Sequence, residues 1–207
     1  MFSYVKIILV LIPVLLFSDQ LKAEQFRLLI LGDSLSAAYG MQQEQGWVAL
    51  LQNALAPKGI KVINAAVSGE TTDGGLARLP RLLEQHRPTH LLIELGGNDG
   101  LRGYPVKKLQ ANITDMINLA QAQGTEVFLQ QMQIPTNFGR RYNQMFMDSF
   151  TTLADKHDVP LIPFFLTDIA LQDNMMQKDR IHPSVQAQPH IARFMQDQLE
   201  PLLLDAP

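Results

Sequence analysis

Short apolar runs of strand length alternate with stretches of helical period along most of this chain. Residues 26–31, Phe-Arg-Leu-Leu-Ile-Leu, stop at Gly32-Asp33 and have the profile of a strand buried on both faces. Residues 60–67, 89–95 and 125–131 repeat that profile, the third run ending at Gly96-Gly97. A fifth run, Val159 to Phe164, is short and broken by prolines. Between them, residues 47–56 show helical spacing and end at Pro57-Lys58-Gly59, a stop signal. Further helices are predicted over 72–86, 105–123, 139–157 and 183–204. Pro80 falls inside the second of these and predicts a kink. Pro105 suits a first turn, and Gly124 a C-terminal stop.

Strict alternation of strand and helix predicts an α/β fold, a parallel sheet with helices on both faces. Ligands of such sheets bind beyond the carboxyl ends of the strands. Functional residues should therefore follow strands one, two and three, with others in a late loop.

The first residues read differently. Lys6 precedes an apolar run, Ile7 to Phe17, too short to span a bilayer as a helix and interrupted by Pro13. A more polar stretch then ends at Leu21-Lys22-Ala23, so residues 1–23 are expected to be a cleaved signal peptide. Residues 24–207 would then form one domain, periplasmic or secreted, without a stable membrane anchor. Removing Lys6, Lys22 and Asp19 from 17 basic and 20 acidic residues leaves a net charge of −4. A mildly acidic domain is a poor nucleic-acid binder, and the pairs Lys107-Lys108 and Arg140-Arg141 read as solvated faces. The absence of cysteine excludes disulfides, thiolate chemistry and thiol ligands for zinc.

Candidate chemistry falls where the sheet rule directs it. After strand one comes Gly32-Asp33-Ser34-Leu35, with a serine at the strand edge where backbone N–H groups can stabilise an anion. A helix- or turn-capping serine would look the same. After strand two, Gly69 in Ser68-Gly69-Glu70 lets a backbone N–H approach a ligand closely, or is an ordinary turn glycine. After strand three, Gly96-Gly97 precede Asn98, whose amide suits an oxygen that gains charge only in a transition state. An Asn-Asp-Gly turn is the plain alternative. Late in the chain, Asp179 stands three residues before His182. It can hold one imidazole nitrogen and leave the other to deprotonate a serine. Each signal alone is ordinary, but together they supply a nucleophile, a base with its orienter, and N–H donors, the parts of acyl transfer.

These blocks resemble those of the GDSL or SGNH hydrolase family. The stretches Ile30 to Ala37, Gly75 to Pro80, Glu94 to Gly103 and Gly139 to Asn143 are similar to its bacterial periplasmic thioesterase and lysophospholipase branch. The resemblance spans essentially all of residues 24–207. It implies a five-stranded, flavodoxin-like three-layer α/β/α fold, with Ser34 as nucleophile, His182 as base and Asp179 as its orienter. It also implies an oxyanion hole made of the Ser34 and Gly69 N–H groups and the Asn98 amide. No cofactor or metal is implied, and the partner is a small acyl ester or thioester substrate, handled by a monomer. Ala38 stands where the resemblance leads one to expect glycine, and is expected to tighten the turn without touching the chemistry.

Asp33 is expected to brace the nucleophile turn, and the loop Leu101 to Tyr104 to touch substrate. His86, His90, His157 and His190 lack metal spacing. Met145, Met147, Met175 and Met176 suit either core packing or an acyl groove. Two rivals remain: a carbohydrate O-deacetylase or acetyltransferase, which would need a polar cleft, and a non-catalytic ligand-binding protein. The intact catalytic set speaks against the second.

Overall fold

The computed structural model describes residues 26–204. The expected signal peptide lies outside the described residues. Five parallel strands, β1 (Arg27–Gly32), β2 (Lys61–Asn64), β3 (His90–Glu94), β4 (Glu126–Gln130) and β5 (Leu161–Ile162), form one sheet in the order β2-β1-β3-β4-β5. The helices are α1 (Trp47–Leu55), α2 (Thr72–His86), α3 (Gly97–Leu101), α4 (Val106–Gln121), α5 (Arg140–His157) and α6 (Gln188–Leu204).

The order reverses at β1, with β3 on the side away from β2, and right-handed crossovers then put the helix between β1 and β2 on one face and those between the later strands on the other. One layer is then α1 packed with α6, and the other is α2, α4 and α5. Between them, Leu28–Leu31 of β1, Leu91–Ile93 of β3 and Val127–Leu129 of β4 are buried. Burial on both faces explains why these strands read as unbroken apolar runs.

Several elements depart from the sequence expectation for local reasons. Regular β2 ends at Asn64, whose Oδ1 accepts from the Ala66 N–H while its Nδ2 donates to the Ser36 carbonyl. The chain still runs alongside β1, with the Ala65 and Val67 N–H groups donating to Ile30 and Gly32. In β5, Pro160 and Pro163 flank the strand and offer no N–H, which shortens it to an edge pair of residues. α2 continues across Pro80, which lies on the exposed side, where water can serve the carbonyl that the ring leaves without a donor. The last helix begins at Gln188 rather than 183, after a single tight turn over Val185–Ala187. Gly97–Leu101, expected to be a turn, is a short helix.

Candidate active site

The sheet's carboxyl edge gathers all the sequence-predicted site residues. β1 delivers the chain into a tight turn in which the Ser36 and Ala37 N–H groups donate to the Asp33 carbonyl. Ser34 projects from this turn half-buried, while Asp33 is buried. The turn is braced from below by the buried Trp47, whose indole N–H donates to the Leu35 carbonyl at 3.0 Å. It is also held by Asn64 through the Ser36 carbonyl. Ala38 has φ +56°, a left-handed conformation that suits glycine, so the alanine here adds backbone strain rather than only tightening the turn.

The late loop folds back across 148 positions of sequence to place His182 Nε2 2.8 Å from Ser34 Oγ. The other ring nitrogen, Nδ1, faces Asp179 Oδ2 at 2.7 Å. Asp179 Oδ1 meanwhile accepts from the Ile181 and His182 N–H groups at 2.9 and 3.0 Å. Arg180, between them, takes φ +58° to let the loop turn so tightly. Partial burial works against ionisation of Asp179. The bonds from the His182 ring and from the backbone N–H groups of His182 and Ile181 outweigh it and hold the carboxyl down at about 2.

The same sheet edge also carries N–H donors from separate elements. The Ser34 and Gly69 N–H groups have no acceptor among the described residues. Gly69 has φ +78° in a turn closed by the Glu70 N–H to the Val67 carbonyl. Asn98 rides on α3, with one N–H of its amide given to Asp33 Oδ2 at 3.0 Å. α3 is itself anchored by buried Asp99, which accepts from the Thr72 N–H (2.9 Å) and hydroxyl (2.6 Å). Asn112 of α4 donates in turn to the Thr72 hydroxyl. Gly100 permits the close seating of α3, since a Cβ there would stand 2.6 Å from Ile134 Cγ2.

A profile of GDSL-like lipases and acylhydrolases matches residues 30–188, from β1 to the start of α6. The chain belongs to the GDSL-like lipase/acylhydrolase family. It is 47% identical to an arylesterase of Vibrio mimicus over 175 residues, 84% of this chain and 88% of that one. It is likewise 47% identical to the thioesterase 1/protease 1/lysophospholipase L1 of Escherichia coli (strain K12), covering 85% and 84%. Among solved structures, the psychrotrophic esterase EstA from Pseudoalteromonas sp. matches with TM-score 0.83 and 50% identity, covering 86% of this chain and 98% of that one.

Within this GDSL hydrolase, other residues follow their environments. His90 is buried between Phe26 and Phe128, and burial lowers its proton affinity. Met147, Met175 and Met176 pack against the core, whereas Met145 is exposed. Met145 lines an open surface recess with Phe138, Arg140, Arg141 and Tyr142 at the start of α5. The loop after α3 is tied at both ends: Arg102 donates to the Gly69 carbonyl at 3.1 Å, and the Tyr142 hydroxyl to the Tyr104 carbonyl at 2.9 Å. Among the described residues no helix is long and apolar enough to cross a membrane.

Sequence reasoning missed Glu94, Thr72, Asp99 and Trp47 as supports of the site. Glu94 was the one sequence signal available, a carboxylate inside an otherwise apolar strand.

Proposed function

We propose that this chain hydrolyses carboxylic esters and thioesters through an acyl-enzyme on Ser34. One observation carries the reading. The Ser34–His182–Asp179 line, at 2.8 and 2.7 Å, shares the sheet's carboxyl edge with the unengaged N–H groups of Ser34 and Gly69. His182 Nε2 withdraws the hydroxyl proton as Ser34 Oγ attacks the acyl carbon. The Ser34 and Gly69 N–H groups and the second N–H of Asn98 receive the oxyanion. The proton then passes from His182 to the departing alcohol or thiol. Water, deprotonated by the same nitrogen, attacks the acyl-enzyme and releases the acid and Ser34. Asp179 keeps the imidazole in the tautomer whose Nε2 can accept.

The substrate class follows from the relatives, an arylesterase and a thioesterase 1/protease 1/lysophospholipase L1. That sets the deacetylase reading behind the esterase one. Residues 1–23 direct the protein to the periplasm or beyond, where it acts as a monomer on small esters, thioesters and lysophospholipids.

The Pseudoalteromonas esterase is described as inhibited by monoethylphosphonate, so an organophosphonate is the natural probe. A fluorophosphonate should label the protein, and Ser34→Ala should abolish labelling. Equal labelling of the variant would refute the nucleophile assignment. Rates across acyl thioesters, aryl esters and acetylated sugars of graded size then rank the substrates.

A further inference from the structure

Tyr39 follows Ser34 by five positions in the same turn. Its ring lies over the His182 imidazole, with centroids 4.1 Å apart and planes inclined by 30°. Tyr39 is 46% exposed, so core packing does not account for its position. The backbone around it is unusual: Ala38 and Gly40, on either side, both adopt positive φ, +56° and +74°. Glycine takes such a conformation freely, but at Ala38 it persists only where surrounding contacts enforce it.

Gln177 supplies those contacts. Its Nε2 donates to the Tyr39 carbonyl at 2.9 Å and to the Pro183 carbonyl at 3.1 Å. Its backbone N–H donates to the His182 carbonyl at 2.8 Å. One glutamine thus staples the tyrosine's backbone to that of the histidine. Gly40 makes room for it, since a Cβ there would lie 2.7 Å from Gln177 Oε1. The Asp179 bond fixes the direction of the imidazole's Nδ1 but leaves the ring free to tilt about that bond. A flat aromatic surface against the ring removes the tilt.

We propose that Tyr39 is a positioning residue for the general base, holding the plane of the His182 ring toward Ser34 and stabilising the imidazolium through its π face. An aromatic face favours a cation above it, and the imidazole becomes a cation as Ser34 attacks. The groups facing the ring are Asp179 from its own loop, and Asp33, Ser34 and Tyr39 from the nucleophile turn. The two carboxyls are retained in every variant below. The inference rests on His182 being the base, as proposed above.

The test compares Tyr39→Phe and Tyr39→Leu on a short aryl ester, with Tyr39→Met in reserve should the leucine variant fail to fold. Phenylalanine should keep the wild-type kcat and pH profile. Leucine should lower kcat about three- to thirtyfold, the range of a cation–π contact, at unchanged KM. The acidic limb of its kcat/KM profile should move to lower pH, because the charged ring has lost its support. Wild-type kcat in Tyr39→Leu, a rise in KM alone, or failure of phenylalanine to restore the rate would each overturn the inference. His182→Ala and Ser34→Ala separate the two claims. If either keeps turnover, the site assignment itself is wrong. If both abolish it while Tyr39→Leu is unaffected, only the role of Tyr39 is lost.

Discussion

The Asp33 N–H donates to Glu94 Oε2 at 3.2 Å, so two buried carboxyl groups lie together beneath the turn that carries Ser34. The Ser36 hydroxyl donates to the same Glu94 oxygen at 2.7 Å, and Glu94 Oε1 has no partner among the described residues. Burial, reinforced by the nearby Asp33, pushes the Glu94 carboxyl well up. Burial also raises Asp33 to about 6, against the pull of the Leu35 N–H, His182 and Asn98. Two adjacent buried acids cannot both ionise cheaply, and Glu94 is the one that keeps its proton.

Asp33 should make stability fall as pH rises. Its native proton affinity exceeds the ordinary 3.8, so its stabilising contribution is complete below that value and is lost as pH rises through about 6. Across that window the loss is roughly 2–3 kcal/mol. Asp33→Asn should flatten this slope in denaturant unfolding between pH 4 and 8. Because the variant also loses one acceptor, the slope rather than the absolute stability is the readout. An unchanged slope would show that Asp33 titrates normally.

Glu94→Gln should be nearly silent. A protonated carboxyl and an amide have the same shape, and the amide oxygen can accept from both Ser36 and Asp33. Glu94→Leu strands those donors in the core, a loss of about 1–3 kcal/mol for each unsatisfied group. Thermal melts of the pair at pH 7 decide it. Equal damage by glutamine would mean that the carboxylate is charged.

Asn98→Ala should cut kcat by about a hundred- to a thousandfold with little change in KM, as loss of one oxyanion donor does. The variant also removes a bond to Asp33 Oδ2. Steady-state kinetics on an aryl ester provide the measurement, and an undiminished kcat removes Asn98 from the hole.

Asp179→Asn should lower kcat by up to about 10⁴, the effect of losing a triad carboxylate elsewhere. With its affinity for protons depressed to about 2, the stability Asp179 contributes is present above pH 3.8 and lost only as pH falls through about 2. The stability advantage of wild type over this variant should therefore shrink as pH falls below about 3.8 toward 2, which denaturant unfolding in that range checks. Loss of activity between pH 5 and pH 8 belongs to another group.

Thr72→Val tests the anchor of α3. It removes the hydroxyl bond to Asp99 Oδ1 and the acceptor of Asn112. The expected destabilisation is about 1–3 kcal/mol, lowering Tm by roughly 2–4 °C for each kcal/mol. A larger fall in kcat than in Tm-corrected folded fraction would show that α3 positions Asn98.

Much of the site was legible before the structure because it obeys a topological rule. Ser34, Gly69 and Asn98 each follow a strand, and parallel strands deliver their carboxyl ends to one edge. The helix over Gly97–Leu101 was not legible, since its two glycines favour a turn locally. Asp99 and Thr72 override that preference through bonds that no local pattern reveals. The early end of β2 went unread for a related reason: a side-chain bond from Asn64 ends it while the apolar pattern runs on, whereas the short, proline-broken β5 was legible.

The amino-acid sequence alone determined the alternation of strand and helix, the residue types of the candidate site and their shared edge. These depend on periodicity and chain order, which are local and additive. Only the tertiary structure decided the 2.8 Å meeting of Ser34 with His182, the Tyr39 ring on the imidazole, and the joint burial of Asp33 and Glu94 beneath the nucleophile turn. Those depend on distances between segments far apart in the chain and on burial, which exist only once the sheet has assembled.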